Sequence, residues 1–375
     1  MKVAKTFRYR LEPNAHERQL FARFAGCCRF VFNQGLAARK ASYDAEGVTL
    51  SYADQCKALP DMKKAEETAW LGEIHSQVLQ QALKDLQAAY DHFFRRVKNG
   101  EPPGFPRFKK KGQKDSFRYP QGVKVKGGRV YLPKIGWVQY RDSRPIEGEI
   151  LQANIKREGE HWFISLACEL ELPDPAPVAI TEERAVGIDV GLKSFAVLSD
   201  GSEIENPRFL KSALAKLKQA QRHLSRKTKW SSNWRRQVAK VAKLHINVKN
   251  SRKDFAHKVS SAIVKNHDVI AVEDLNIKGM VKNRHLSRAI SDVGWGLFLD
   301  MLKYKAAWAG KHFVLIGRFE ASSKTCSTCR VKKPMPLSVR TYACGGCGMV
   351  MDRDWNASLN IRAAGLVVLN ACGGA

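Results

Sequence analysis

Residues 185–199, AVGIDVGLKSFAVLS, decide the class of fold because they form two apolar stretches on either side of a tight turn. Residues 185–190 and 195–199 are predicted strands, and Gly191 lies in the turn between them. Asp189 interrupts the first strand. A carboxylate inside an apolar strand is costly unless a cation or hydrogen bonds compensate it, so we expect a polar site at this position.

Two more carboxylates lie at the boundaries of apolar elements further along the chain. Glu273 ends a predicted buried strand over 269–272, and a helix over 292–310 and a strand over 313–316 follow. Asp354 opens a last helix that runs to about residue 366. Acids that come from separate strands and a helix are typical of an RNase H-like nuclease, in which two metal ions assist phosphodiester cleavage. Mg²⁺ suits such oxygen ligands.

Each of these acids also has a simpler interpretation. An Asp in a strand can satisfy a turn, and an Asp at a helix start is usually an N-cap. Asp352 and Asp274 are alternatives within the same two motifs. We prefer Asp354 because it leads directly into the helix, and Glu273 because it ends the apolar strand; Asp274 is expected to cap the following turn. Taken together and in this order, Asp189, Glu273 and Asp354 are the predicted catalytic acids and magnesium ligands.

Four of the nine cysteines form two CxxC pairs that are separated by fourteen residues. They are Cys326, Cys329, Cys344 and Cys347. This spacing predicts a zinc ribbon, in which four thiolates hold one tetrahedral Zn²⁺ in a closed, structural site. The other five cysteines are scattered along the chain, so the pattern indicates a reducing compartment rather than a disulfide framework.

The charge of the chain points to a polyanionic partner. Lys and Arg total 64 and Asp and Glu total 36, which gives a net charge of +28. Such an excess opposes folding by self-repulsion, and nucleic acid is the commonest partner that offsets it. An anionic membrane is the alternative. However, no apolar run approaches the roughly 18 residues that span a bilayer, and the N-terminus lacks a signal-peptide core.

The most basic segment, residues 208–253, contains 15 Lys or Arg residues and no acidic residue. It is predicted to be a helical hairpin with a break near 231–233. A charge run is usually a solvated face, but these cations have no local anions with which to form i,i+4 pairs. Trp230 and Trp234 lie among them and could stack on bases. We predict nucleic-acid contacts at the cations around these tryptophans, namely Lys227, Lys229, Arg235 and Arg236.

The N-terminal half combines helices with short strands. Residues 2–11 alternate like a strand, and Asn14 followed by Glu17 predicts a helix start. A second helix is predicted over 75–98. One of its faces carries Gln77, Gln81 and Lys84, which are candidate nucleic-acid contacts, although a solvated helix face is the interpretation that we favour for them.

A proline- and glycine-rich segment over 99–112 reads as a loop between domains. Its basic cluster offers further candidate nucleic-acid contacts, at Arg107, Lys109, Lys110 and Lys111. Hairpins are predicted at 123–132 and at 152–170, where short strands flank turns. We expect the region 117–172 to form a small β-barrel.

These motifs together resemble the TnpB (OrfB) proteins of bacterial insertion sequences, which are miniature relatives of type V CRISPR effectors. The resemblance covers nearly the whole chain. It rests on KTFRYRLEPNAHERQLFARFAGCCRFVFN at 5–33, GFPRFKKK at 104–111, AVGIDVGLKSFAVLSDG at 185–201, VIAVEDLNIKGMVKN at 269–283, SDVGWGLFLDMLKYKAAWAGK at 291–311, and the ribbon that leads into DRDWNASLNI at 352–361.

The resemblance implies an α/β multidomain fold. Residues 1–10 and 117–180 would form a β-barrel wedge domain, and residues 11–116 a helical recognition domain inserted in it. Residues 181–320 and 349–375 would form an RNase H-like RuvC nuclease domain, and residues 321–348 an inserted zinc ribbon that binds target nucleic acid. Arg330 departs from the family pattern, which commonly has glycine after the first CxxC, so the turn there is expected to differ.

The resemblance also implies an RNA-guided DNA endonuclease of the bacterial or archaeal cytoplasm, associated with the nucleoid. Its partners would be a structured guide RNA from the transposon end and a target DNA that carries a short flanking motif, with base pairing reading the sequence. The family pattern places the catalytic acids at Asp189, Glu273 and Asp354, with two Mg²⁺ ions and one structural Zn²⁺.

Two other functions stay open at the level of sequence. A binding-only, RNA-guided repressor would have lost RuvC acids, whereas all three are present here. A DNA transposase that acts without RNA also uses three acids on an RNase H-like fold. Such an enzyme needs its own base-reading element, and we find no evident helix-turn-helix signature.

Overall fold

The structure is a computed structural model that describes residues 2–171, 173, 178–317, 322–336 and 338–372. The chain divides into two compact units, Met1–Pro173 and Asp174–Ala375. This division falls seven residues before the predicted end of the wedge domain at residue 180. The predicted boundary between the nuclease domain and the ribbon, at 320 and 321, lies outside the described residues. Within the described residues, no helix is long and apolar enough to cross a membrane.

The first unit begins with a strand and a long helix, as predicted. Its elements up to residue 98 are β1 (Lys2–Leu11), α1 (Ala15–Glu46), α2 (Tyr52–Lys57), α3 (Leu59–Lys64), a 3₁₀ helix (Glu66–Glu73) and α4 (Ser76–Lys98). The helix start predicted at Asn14 is confirmed, because Asn14 Oδ1 accepts from the Glu17 amide at 2.9 Å and Glu17 Oε2 accepts from the Asn14 amide at 2.8 Å. This reciprocal capping box satisfies two amides that the helix leaves unpaired.

The strands of the first unit form two antiparallel sheets. They are β2 (Ser116–Tyr119), β3 (Lys124–Lys126), β4 (Arg129–Leu132), β5 (Gly136–Gln139), β6 (Glu149–Glu158) and β7 (His161–Glu171). One sheet has the order β1-β7-β6-β2 and the other β3-β4-β5, so both predicted hairpins are confirmed. A single bridge between Leu11 and Tyr140 joins the sheets. Hydrogen bonds between the described strands therefore do not close the continuous barrel that we expected.

Helices and strands of the first unit share one hydrophobic core. Phe21 and Phe24 of α1 pack against Phe117 of β2, with ring centroids 5.8 and 5.2 Å apart, and Phe21 also lies 5.2 Å from Trp162 of β7. Leu79 of α4 is buried in the same core. The predicted recognition helices and wedge strands thus stabilise each other by burying a common apolar surface. Their separation into two domains stays a prediction.

The second unit is built on a five-stranded mixed sheet. Its strands are β8 (Ala185–Val190), β9 (Ser194–Leu198), β10 (Glu203–Glu205), β11 (Val269–Glu273) and β12 (His312–Ile316). The order is β10-β9-β8-β11-β12. β8, β9 and β10 pair antiparallel, whereas β8, β11 and β12 pair parallel. The strands predicted on either side of Gly191 and before Glu273 are therefore confirmed.

Helices surround this sheet, and two small strands lie within and directly after the cysteine module, which we define as residues 326–347. The elements are α5 (Phe209–Ser225), α6 (Ser232–Asn266), α7 (Ile277–Met280), α8 (Ser287–Val293), α9 (Trp295–Trp308), a 3₁₀ helix (Ser322–Lys324), β13 (Thr341–Ala343), β14 (Val350–Asp352) and α10 (Arg353–Cys372). The helix predicted over 292–310 is confirmed as α9, but it begins at Trp295 and not at residue 292. Gly294 adopts a left-handed φ of +74° and separates α8 from α9. α10 also runs past the expected end at 366.

Candidate active site

Asp189 and Glu273 lie beside each other at the carboxyl edge of the sheet. β8 and β11 pair in parallel with Val272 opposite Ile188, so the same register carried one residue further brings Glu273 next to Asp189. Neighbouring strands are about 4.8 Å apart. Ligands of α/β sheets commonly bind outside the carboxyl ends of parallel strands, and this edge therefore suits a shared polar site.

Asp354 reaches the same site because α10 packs unusually close to the two strands. A Cβ added at Gly187 of β8 would lie 2.1 Å from the carbonyl oxygen of Ser358 in α10. A Cβ added at Gly365 of α10 would lie 2.4 Å from the Cβ of Ala271 in β11. The two glycines thus let the helix backbone approach both acid-bearing strands.

We expect Gly365→Ala to destabilise the second unit, because its methyl group would overlap the Ala271 methyl group. Overpacking of this kind costs about 1–3 kcal/mol of the free energy of unfolding. Adding Ala271→Gly should restore part of that loss, because the double variant moves the methyl group from strand to helix. Thermal unfolding of both single variants and the double variant measures the coupling. If Gly365→Ala alone unfolds like the wild type, the close contact does not set the helix position.

The three carboxylates interact electrostatically. Burial raises the pKa of Asp189 well above its ordinary value, and the nearby charges of Glu273 and Asp354 raise that pKa further. Arg353 acts in the opposite direction. Among the described residues, however, only the four ribbon cysteines bring all their ligand atoms within 4.8 Å of one another. The acids therefore surround a wider space than the thiols do.

The structure distinguishes the two candidate aspartates at the start of α10. Asp352 Oδ1 accepts from the amides of Asp354 and Trp355 at 2.8 and 3.1 Å, so Asp352 is the helix cap. The Asp354 carboxylate lies 3.5 Å from the Arg340 guanidinium. At the other motif, Asn276 caps α7, since its Oδ1 accepts from the Gly279 amide at 3.0 Å, and a capping role of Asp274 in the preceding turn stays a prediction.

Two asparagines of α10 hold residues 322–325, directly before the first CxxC pair, and sequence reasoning missed them. Asn356 Nδ2 donates to the Thr325 carbonyl at 2.7 Å, and Asn360 Nδ2 donates to the Ser322 and Thr325 carbonyls at 2.8 and 2.7 Å. The Ser322 hydroxyl in turn donates to Glu273 Oε1. Buried amides are costly unless they are bonded in this way. The i,i+4 spacing of these asparagines on one helix face was the available clue.

The four cysteine sulfurs form a compact cluster. Cys326 Sγ lies 3.6 Å from Cys347 Sγ, and Cys329 Sγ lies 3.4 Å from Cys344 Sγ. Zn–S bonds of about 2.3 Å in a tetrahedron place sulfurs roughly 3.8 Å apart, so the cluster fits one zinc ion. Amide groups of Cys347 and Gly346 lower the pKa of the Cys344 thiol to about 6, which favours the thiolate that a metal requires.

Arg330, the departure from the family pattern, adopts the conformation that favours glycine. Its φ is +63°, which costs a side-chain-bearing residue about 1–2 kcal/mol. Its guanidinium donates to Asn360 Oδ1 at 3.0 Å. The backbone turn is therefore kept, and the arginine adds a bond between the first CxxC loop and α10.

The candidate nucleic-acid residues of the first unit differ in exposure and in whether their side chains already have partners within the unit. Lys109 is bound within the unit: its ammonium lies 3.9 Å from the Phe32 ring centroid and 3.8 Å from Asp85. Its backbone also exchanges hydrogen bonds with Asn33. Gln77 and Gln81 are half-buried. The remaining candidates are exposed cations without an ion pair in the described part of the chain, namely Lys84, Arg107, Lys110 and Lys111.

The basic hairpin of the second unit forms as α5 and α6, and its tip is the loop 226–231. Trp230 is 72% exposed, has a φ of +71°, and packs on Trp234 at a centroid distance of 5.2 Å. A large exposed ring held in a strained conformation is typical of a functional position. The predicted contacts around it are all exposed, namely Lys227, Lys229, Arg235 and Arg236.

Comparison with known proteins gives close relatives over the full length. The chain is 38% identical to "Putative RNA-guided DNA endonuclease InsQ" of Escherichia coli (strain K12), over 100% of this chain and 95% of the relative. The chain belongs to the TnpB (OrfB) family. A second member of the family, "Putative RNA-guided DNA endonuclease" of Streptomyces pristinaespiralis, is 39% identical over 99% of this chain and 92% of the relative.

Three family descriptions match separate parts of this TnpB-family chain. Residues 166–284 match OrfB_IS605, described as "Probable transposase", and residues 295–361 match the TNB domain of Cas12f1-like proteins. Residues 1–47 match a family described as a helix-turn-helix domain. We expected no such match, and the structure there consists of β1 and the single helix α1.

Solved structures share the fold at low sequence identity. A Cas12f1–sgRNA–target DNA complex matches with a TM-score of 0.57 and 14% identity, over 96% of this chain and 99% of that chain. The mini-RNA-guided endonuclease CRISPR-Cas_phi3 matches with a TM-score of 0.51 and 9% identity, over 97% and 92%. The mixed α/β fold of this TnpB-family chain is therefore that of the miniature effectors.

Proposed function

We propose that this protein is an RNA-guided DNA endonuclease that cuts DNA beside a short flanking motif by two-metal phosphodiester hydrolysis. The meeting of Asp189, Glu273 and Asp354 at one edge of the sheet carries the proposal, because three carboxylates there repel one another unless cations join them. Family membership supports the guided mode of action, since two full-length relatives are named as RNA-guided DNA endonucleases.

The donor set fits magnesium, because all three candidate ligands are hard carboxylate oxygens. When bound, two such ions would activate a water molecule and stabilise the leaving oxygen of the phosphodiester. Glu273 is oriented for this role by the Ser322 hydroxyl. Asp354 is not needed as the helix cap, because Asp352 has that role, and its carboxylate is paired with Arg340 at 3.5 Å. Asp189, on the central strand, faces the charges of both other acids.

The other parts of the chain have separate roles in this proposal. The cysteine module would hold one structural Zn²⁺ and contact target nucleic acid. The candidate cations named above, in both units, would contact a structured guide RNA from the transposon end and the target DNA, reading backbone and shape rather than sequence. The wedge, recognition, RuvC and ribbon domains are proposed with the boundaries given above.

Programmable cleavage tests the proposed function. The protein is purified with its bound RNA, the guide portion of that RNA is replaced, and two plasmids are offered that differ only in a match to the new guide. We expect cutting of the matching plasmid alone, and no cutting by the Asp189→Ala variant loaded with the same RNA. Cutting that ignores the guide, or that persists after the RNA is removed, would instead favour an unguided nuclease or a transposase.

A further inference from the structure

A cationic cavity of about 760 Å³ lies in the second unit, beside the candidate active site. Four of the residues that line it are exposed cations, namely Arg208, Lys211, Arg284 and Arg288. None of the four has an ion pair in the described part of the chain. Four like charges around one concavity repel each other, so the cavity is complementary to an anion with several charges.

The one acidic residue of the cavity does not neutralise these cations. Asp292 accepts from the Leu210 amide at 3.0 and 3.1 Å and from the Lys211 amide at 3.3 Å, which caps the start of α5. It also pairs with Arg252 of α6 at 2.9 Å. Because Asp292 already satisfies the helix N-terminus, a bound anion would depend on the four cationic side chains and not on the helix dipole.

Part of the cavity wall comes from the chain segments that follow the two acid-bearing strands, and the start of α5 contributes another part. Leu192 follows Asp189 by three residues, and successive Cα atoms are 3.8 Å apart, so its Cα lies within about 11 Å of that of Asp189. Arg284 and Arg288 come from the segment that follows Glu273 at the end of β11. The cavity therefore borders the carboxyl edge of the sheet where the acids meet.

We propose that this cavity binds the phosphodiester backbone of a single DNA strand, a few nucleotides from the phosphate that is cut. The volume is that of a small-ligand site and is too small for a duplex, whose major groove alone is about 12 Å wide. Among the described lining residues there is no Phe, Tyr or Trp, and His285 is the one aromatic ring beside four cations, so we assign the main contacts to phosphates rather than to stacked bases. This inference rests on the proposed function, because that function supplies the DNA strand.

Charge reversal at the cavity tests the proposal. The variant is Arg284→Glu with Arg288→Glu, and the matched control is Lys265→Glu with Lys303→Glu, two exposed cations outside the cavity that also lack ion pairs. Affinity for single-stranded DNA is measured at several salt concentrations, in the Asp189→Ala background and with the RNA bound. We expect the cavity variant to bind at least tenfold more weakly. The slope of log affinity against log salt concentration should fall by about 1.4, which corresponds to the loss of two phosphate contacts on a single strand.

Guided cleavage is then measured in the chain with its acids intact. The cavity variant should cut at least tenfold more slowly than the wild type, and the control within about twofold. Equal single-strand affinity and equal salt slopes for the cavity variant and the control would overturn the cavity assignment, even where the wild type cuts as proposed. Absence of guided cleavage in the wild type would count against the proposed function alone, because the binding arm still reports on the cavity.

Discussion

Replacing Asp189, Glu273 or Asp354 with Ala is expected to lower DNA cleavage by roughly 10³-fold or more and to leave binding of guide RNA and DNA within a few-fold of the wild type. The physical reason is that each carboxylate would hold a metal ion at the phosphate, whereas the exposed cations elsewhere supply the binding energy. Cleavage assays with Mg²⁺ and binding assays on the same preparations separate the two effects. Near-wild-type cleavage by any one variant removes that residue from the catalytic set.

Asp352→Ala is the matched control for Asp354→Ala, since the two residues are neighbours on the same turn. Asp352 caps α10, so its loss should cost about 1 kcal/mol of stability and only a modest part of the cleavage rate. A larger loss of cleavage in Asp352→Ala than in Asp354→Ala would mean that the assignment of the two acids is reversed.

The stability of the metal-free protein is a second test of the assignment of Asp189 to the metal site. Because burial and the neighbouring acids raise the pKa of Asp189 in the folded protein, its ionised form destabilises the fold at neutral pH. That cost falls as pH falls and Asp189 becomes protonated. Asp189→Asn should therefore raise the unfolding temperature in a chelator at neutral pH, and the gain should shrink at acidic pH or on adding Mg²⁺ to the wild type.

Replacing Cys326 and Cys329 together with Ser should remove the zinc ion and the fold of the cysteine module. Wild-type protein purified without chelators should contain about one zinc per chain, and the double variant none. Binding of structural zinc is worth roughly 10–16 kcal/mol, far more than a small loop-rich module can gain from its own core. Metal analysis gives the first readout. Zinc-free wild-type protein would contradict the ribbon assignment.

Cleavage should fall at least tenfold in the same double variant, although its acids are intact. Thr325 lies directly before Cys326 and accepts hydrogen bonds from both Asn356 and Asn360, so disorder of the first CxxC loop would free the segment that orients Glu273. Cys56→Ser, a cysteine outside the cluster, is the control and should keep both zinc and activity. Full activity without zinc would show that the loop is held by α10 alone.

Local sequence signals predicted those parts of the molecule that depend on neighbours in the chain. Asn14 and Glu17 are three residues apart, and the capping box that they form needs nothing else. The strand around Asp189 was equally clear, because apolar strands between turn residues are short-range patterns. The two CxxC pairs are also short-range patterns. The cluster of four sulfurs that they predict is confirmed.

Contacts between distant residues account for what the sequence did not predict. In the sequence Lys109 is like any other member of its basic cluster, but in the structure it contacts Asp85 of α4 and Phe32 of α1. The helix predicted over 292–310 begins only at Trp295, because Gly294 takes a left-handed conformation that an apolar periodicity does not reveal. Closure of a barrel likewise depends on strand pairing across long loops, and here one bridge joins the two sheets.

Asp292 joins the two helices of the basic hairpin, α5 and α6, at the base of the hairpin. Its carboxylate accepts from an amide in the first turn of α5 and pairs with Arg252 of α6, so one side chain contacts both helices. From there α5 extends 17 residues, about 25 Å, to the tip that carries Trp230. A lever of that length turns a 10° rotation at its base into a displacement of about 4 Å at its tip. The bonds of Asp292 at the base and the hydrogen bond from Gln237 of α6 to the Ala220 carbonyl of α5 together limit how far the exposed tryptophan can move.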